Sequence, residues 1–217
     1  RCKIQHTDLN NVHDDRWRTE KNNALKQAVN TLLGAERIQI DNGNPDNHGE
    51  KRYLERVLLK GAGGLRKTDS DGPVTFFACE SDPDKIDAKF PVLKDLCERL
   101  SNLDPGETLA VGTFINAAKG APCGAGGTAL MLALGHAVRA YGERLRVFKD
   151  STRTSEYPLQ DYGDLSGLVA DPATGVVLEV REITGNQAKL IDAVAGGVGA
   201  PPVKHGEIRS LNETFEL

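Results

Sequence analysis

No stretch of the chain comes near the ~20 consecutive apolar residues that a membrane helix needs. Neither sign of charge dominates: 27 Lys and Arg stand against 31 Asp and Glu, a net charge of -4. The first lack excludes a membrane-spanning helix, and the second a global field that would draw nucleic acid or an anionic membrane surface. Neither is expected as a partner. Internal repeats, a signal peptide and a charged low-complexity tail are absent as well. The chain begins at Arg1, as a mature protein does after an export signal is removed, so secretion is the expected localisation. The glycine cluster Gly61–Gly64 lacks the Gly-Lys-Ser/Thr ending and the following helix that a phosphate loop requires, and reads as a turn.

What is present fits one mixed domain, α+β in class, over 217 residues. Cys2, Cys79, Cys97 and Cys123 are even in number, but their spacing fixes no pairing. Residues 15–33 place Trp17, Ala24, Leu25, Ala28, Leu32 and Leu33 on one helical stripe that Gly34 ends. "RIQI" (37–40) is expected as a strand and "DNGNPDNHGE" (41–50) as a loop with a solvated His48. "KRYLERVLLK" fits either strand or helix, "GAGGLRKTDSDG" reads as a flexible loop, and "PVTFFACE" as a strand. Residues 90–101 form an amphipathic helix with Phe90, Leu93, Leu96, Cys97 and Leu100 inward, Cys97 as a small core residue.

"TLAVGTFINAA" (108–118) alternates as a strand, and the next helix spans 128–141 and stops at Gly142. After it, "RLRVFKDSTRTSEYPLQDYGDLSG" has little helical periodicity, "GVVLEVREIT" reads as strand or helix start, "NQAKLIDAV" as helix, and the remainder from Gly196 as loop.

The 128–141 helix carries the functional question. In "GGTALMLALGHAVRAYG" (126–142) His136 ends a five-residue frame that would read His-Glu-Leu-Gly-His if Leu132 were His and Ala133 were Glu. Two histidines four apart lie on one helical face and hold Zn²⁺, the Glu activates the metal-bound water, and a later carboxylate completes the site. A lone His on an apolar helix is also a common core residue, hydrogen-bonded through one ring nitrogen.

"LALGHAVRAYGERL" and "LEVREITGNQAKLIDAVAGGVGAPPVKHGEIRSL" together resemble the zincin zinc metalloproteases, nearest the effector-type zinc peptidases that bacteria inject into host cells. The resemblance implies a single zincin-like domain over 1–217, with 106–217 as the core and 1–105 unassigned. In it the 128–141 helix packs beneath a small mixed sheet containing "TLAVGTFIN". It implies His136 as the second zinc histidine, Glu179 or Glu182 as the downstream carboxylate, Leu132 in place of the first histidine and Ala133 in place of the catalytic base. One histidine and one carboxylate do not close a tetrahedral site. The chain is therefore expected to be an inactive peptidase-like effector or toxin domain, a natural pseudoenzyme or an active-site mutant, without a cofactor, zinc belonging to an active ancestor or revertant, and its partner a host or substrate protein.

A second reading takes the glycine-rich stretch "KGAPCGAGG" before the helix. A strand, a turn with Gly124, Gly126 and Gly127, and a helix N-terminus in succession suit a pyrophosphate. This resembles the coenzyme A loop of N-acetyltransferases, with Ala121 where that loop usually has Arg or Gln. A third reading pairs a Cys123 thiol with His205 and Asn212, but no flanking pattern of a cysteine protease surrounds it. His6 and His13 read as solvated.

Overall fold

The computed structural model describes residues 18–41, 52–121, 123–157 and 159–181. Cys2, His6, His13, Trp17, His48, the loop from 42, Glu182, the expected helix over 186–194, the segment from Gly196, His205 and Asn212 lie outside the described residues. The described chain is an α+β domain in which helices surround a central apolar helix and two three-stranded sheets are antiparallel throughout. The expected small mixed sheet is thus replaced by two all-antiparallel ones. One hydrophobic core runs from Ala24 to Leu178 and draws on residues from both sides of position 105.

Helix α1 (Arg18–Leu33) buries Ala24, Leu25, Ala28, Val29, Leu32 and Leu33, a stripe repeating every four residues, and ends where the Gly34 N–H donates to the Asn30 carbonyl at 2.7 Å. Strand β1 (Ile38–Asp41) alternates, with Ile38 and Ile40 inward. The ambiguous stretch after it is helical: a wide π-type helix, Arg52–Gly61, buries Tyr53, Leu54, Val57 and Leu58. Strands β2 (Leu65–Asp71) and β3 (Val74–Cys79) form a hairpin, and the order of this sheet is β1-β3-β2. The expected loop over 61–72 therefore contains a strand. Only Leu65 of β2 is buried, so no alternation betrays it.

Helix α2 (Pro91–Ser101) opens on proline and buries Val92, Leu93, Leu96, Cys97 and Leu100. The expected 108–118 strand is split: only β4 (Thr108–Ala110) is strand, and Val111–Lys119 is helix α3. Its buried Val111, Phe114, Ile115 and Ala118 follow the i, i+3, i+4, i+7 helical period.

Helix α4 (Gly127–Tyr141) is the centre of the domain, packed against α1 and α2 and against a shorter helix, α5 (Tyr162–Ala170). Every residue from Ala129 to Val138 is buried, as are Ala140 and Tyr141. Gly142, at φ 50°, turns the chain out of the helix in the left-handed region that a side chain disfavours. Strands β5 (Leu145–Phe148) and β6 (Val177–Val180) complete the second sheet, ordered β4-β6-β5. Helix α5 starts on a reciprocal capping box between Asp161 and Asp164.

Candidate functional site

The candidate zinc helix is held in place by its own histidine. His136 has no exposed surface, and its Nε2 lies 2.7 Å from the Gly64 carbonyl oxygen, just before β2. A carbonyl only accepts, so Nε2 carries the proton and Nδ1 the bare lone pair. That Nδ1 is buried with no hydrogen-bond partner among the described residues. Gly64 leaves little room: a Cβ there would stand 3.0 Å from His136 Nε2 and 3.1 Å from Leu93 Cδ2, so one of the two side chains would have to shift. The imidazole thus ties α4 to the entry of the hairpin, with α2 alongside.

Leu132 and Ala133, one turn and three residues earlier, are also completely buried. The positions of the missing histidine and the missing base are therefore packed core and border no cleft. Glu179, the candidate downstream ligand, sits in the middle of β6 and has other partners. Its Oε1 accepts from Arg153 Nη1 at 3.3 Å, and its Oε2 lies 3.6 Å from Arg181 Nε. Two guanidinium groups beside a carboxylate oppose a divalent cation at the same oxygens. The carboxylate that acts on His136 electrostatically is instead Glu80, whose Oε1 accepts from the Ser81 and Asp82 amides. Among the described residues no group of three or more His, Cys, Asp or Glu side chains is placed to hold a metal ion.

Burial pushes the His136 imidazole down to about 4 from its ordinary 6.5, against the opposing pulls of the Gly64 carbonyl and Glu80. Because the folded value lies below the unfolded one, the unfolded chain binds the proton more tightly. Stability is fully present above pH 6.5 and is lost as pH falls toward 4. Unfolding by urea at about pH 7.5 and about pH 5.5, above most carboxylate titration, should show a loss of about 1 kcal/mol on acidification. His136→Leu should remove that difference, and an equal loss in the variant would assign it elsewhere.

Cys79 and Cys97 offer no nucleophile. Burial pushes both Cys79 and Cys97 up to about 12, and both are free thiols. Cys97 is a core residue beside Tyr141, whose hydroxyl donates to the Cys97 carbonyl at 3.2 Å.

In the glycine-rich connection Gly124 takes φ 59° and Gly126 caps α4 without a side-chain hydrogen bond. Helix α3, not a strand, precedes this connection. The Gly124 and Ala125 amides turn back to the Gly120 and Ala118 carbonyls, each at 2.8 Å. Two N–H groups that a pyrophosphate would need are spent inside the connection.

The residues that sequence reasoning passed over are Gly64, Glu80, Arg146 and Arg153. Gly64 lay within a cluster read as a turn. The arginines left a weak signal, the alternation Arg144, Arg146 around Leu145 and Val147. No protein-family model, curated protein or solved structure matches the chain.

Proposed function

We propose that this chain is a non-catalytic domain that works by binding another protein, with α4 serving as the core of the fold and not as a zinc helix. The observation that carries this reading is enclosure: His136, Leu132 and Ala133 are all without exposed surface, so the free Nδ1 lone pair of His136 faces packed core. A zinc ligand needs a lone pair facing a space that the other ligands and a water share, and a general base needs access to that water. The resemblance to effector-type zinc peptidases supports a protein as the partner, since proteins are what such enzymes act on.

The test is metal analysis of protein purified without added metal, followed by zinc titration and a casein hydrolysis assay. Well under one zinc per chain and no cleavage with or without zinc are expected. A ratio near one that His136→Gln abolishes would overturn the reading.

A further inference from the structure

We propose that the exposed edges of Arg146, Arg153 and Arg181, gathered over β5 and β6, form a docking site for an acidic peptide segment of a partner protein. In register, Arg146 of β5 stands opposite Glu179 of β6. Two residues on, just outside both strands, the Arg181 N–H donates to the Arg144 carbonyl. Arg144 has contacts of its own there, its Nε donating to the Arg181 carbonyl at 3.4 Å and its guanidinium lying 6.0 Å from the centre of the Tyr141 ring. Arg153 folds in from the loop after β5, reaching both Glu179 and the Gly106 carbonyl. It does so at φ 57°, the one non-glycine positive φ among the described residues. A side chain held in that region marks a backbone whose conformation is fixed by something other than local preference.

Donor capacity in this cluster exceeds what the cluster uses. Arg146 bonds Glu156 through Nη2 at 2.9 Å, yet its Nε is buried with no hydrogen-bond partner among the described residues. Arg181 Nε is 3.6 Å from Glu179, beyond hydrogen-bond reach. Three arginines, Arg146, Arg153 and Arg181, surround two carboxylates, Glu156 and Glu179, an excess of one positive charge on a chain whose net charge is -4. The Arg146, Arg153 and Arg181 side chains keep 40%, 42% and 50% of their surface exposed, whereas Glu179 keeps 8%. The buried carboxylate orients the guanidinium groups, and their outer edges remain open to bidentate carboxylates. The footprint is a pair of four-residue strands and one loop. That suits a few carboxylates in a row and falls short of the extended basic stripe that a nucleic acid backbone needs.

The partner's being a protein rests on the function proposed above, and the site does not. Labelled hexaglutamate, hexaglutamine and a single-stranded oligothymidine would be titrated by fluorescence anisotropy into the full chain, its Arg153→Gln/Arg181→Gln variant and an Arg99→Gln control on α2. Hexaglutamate alone should bind, at least about tenfold more weakly to the double variant and unchanged to the control. It should be released as salt rises from about 50 to about 500 mM. Circular dichroism checks the fold, and single Arg181→Gln, at a half-exposed position, stands in if the double variant is not folded. No hexaglutamate binding, or equal binding by wild type and variant, overturns the site and leaves the zinc result untouched. Tighter oligothymidine binding that the same variants weaken overturns the acidic-peptide assignment.

Discussion

The variant Leu132→His/Ala133→Glu, which writes His-Glu-Leu-Gly-His into α4, should fold poorly or not at all, and zinc should not rescue it. Both positions have no exposed surface. Replacing Leu132 forfeits a fully buried leucine, and the new imidazole and carboxylate arrive without partners. Together these effects come to about 5 kcal/mol or more, comparable to the whole stability of an ordinary domain. His136 offers the newcomers only one buried Nδ1 lone pair, which cannot satisfy both an imidazole and a carboxylate. Urea unfolding with and without equimolar zinc reads both outcomes. A folded variant that zinc stabilises would restore the zinc-peptidase assignment, because only a preformed cavity could accept two polar side chains there. Single substitutions separate the contributions: Leu132→His, with Ala133 left in place, should already lose most of the stability.

Gly112→Ala should be almost as damaging. Gly112 lies in the first turn of α3, and a Cβ there would fall 1.9 Å from the Pro172 carbonyl oxygen and 3.1 Å from its carbon. The obstacle is backbone, in the turn that leads from α5 to β6, so no rotamer change relieves it. A loss of about 3 kcal/mol is expected, which lowers Tm by several degrees in a chain of this length. Gly120→Ala at the far end of the same helix is the control. Its Cβ would stand 3.4 Å from the Ala117 and Asn116 carbonyls, a contact the chain can absorb. Equal melting temperatures for Gly112→Ala and wild type would show that α3 does not pack on that turn as described.

The elements legible in the sequence are those with one buried and one exposed side, or none exposed at all. α1, α2 and α4 announced themselves by apolar spacing and by Gly34, Pro91 and Gly142 at their ends. So did β3, whose apolar run sits in the centre of its sheet. The edge strand β2 was invisible because its side chains beyond Leu65 are exposed, and polar edges guard against unwanted pairing. α3 was misread because Val111, Thr113 and Ile115 also satisfy a period of two; the choice lay with Phe114 and Ala118, which complete a helical face. α5 could have been found from Asp161 and Asp164, a capping pair three residues apart.

For the candidate site, sequence spacing placed His136 and Leu132 on one face of a helix, but spacing cannot say whether that face meets a cleft or another element. What decides it is Gly64, seventy-two positions away, and no local pattern encodes that meeting. Likewise Glu179 stands out in the sequence for its distance from the helix, while the arginines beside it come from a loop and from the residue just past its own strand.

The second sheet has a consequence for the order in which the protein is made. Its central strand, β6, is the last of its three to leave the ribosome, and it pairs Thr108 with Glu179 across most of the described C-terminal half. Closing so long a loop is entropically slow. Until residue 180 has emerged, β4 and β5 each lack their only strand partner within that sheet, and Arg146 of β5 has no Glu179 opposite it. The nascent chain therefore passes through a stage with the helical core able to form and this sheet open, when it is most exposed to proteases and to pairing with the wrong strand.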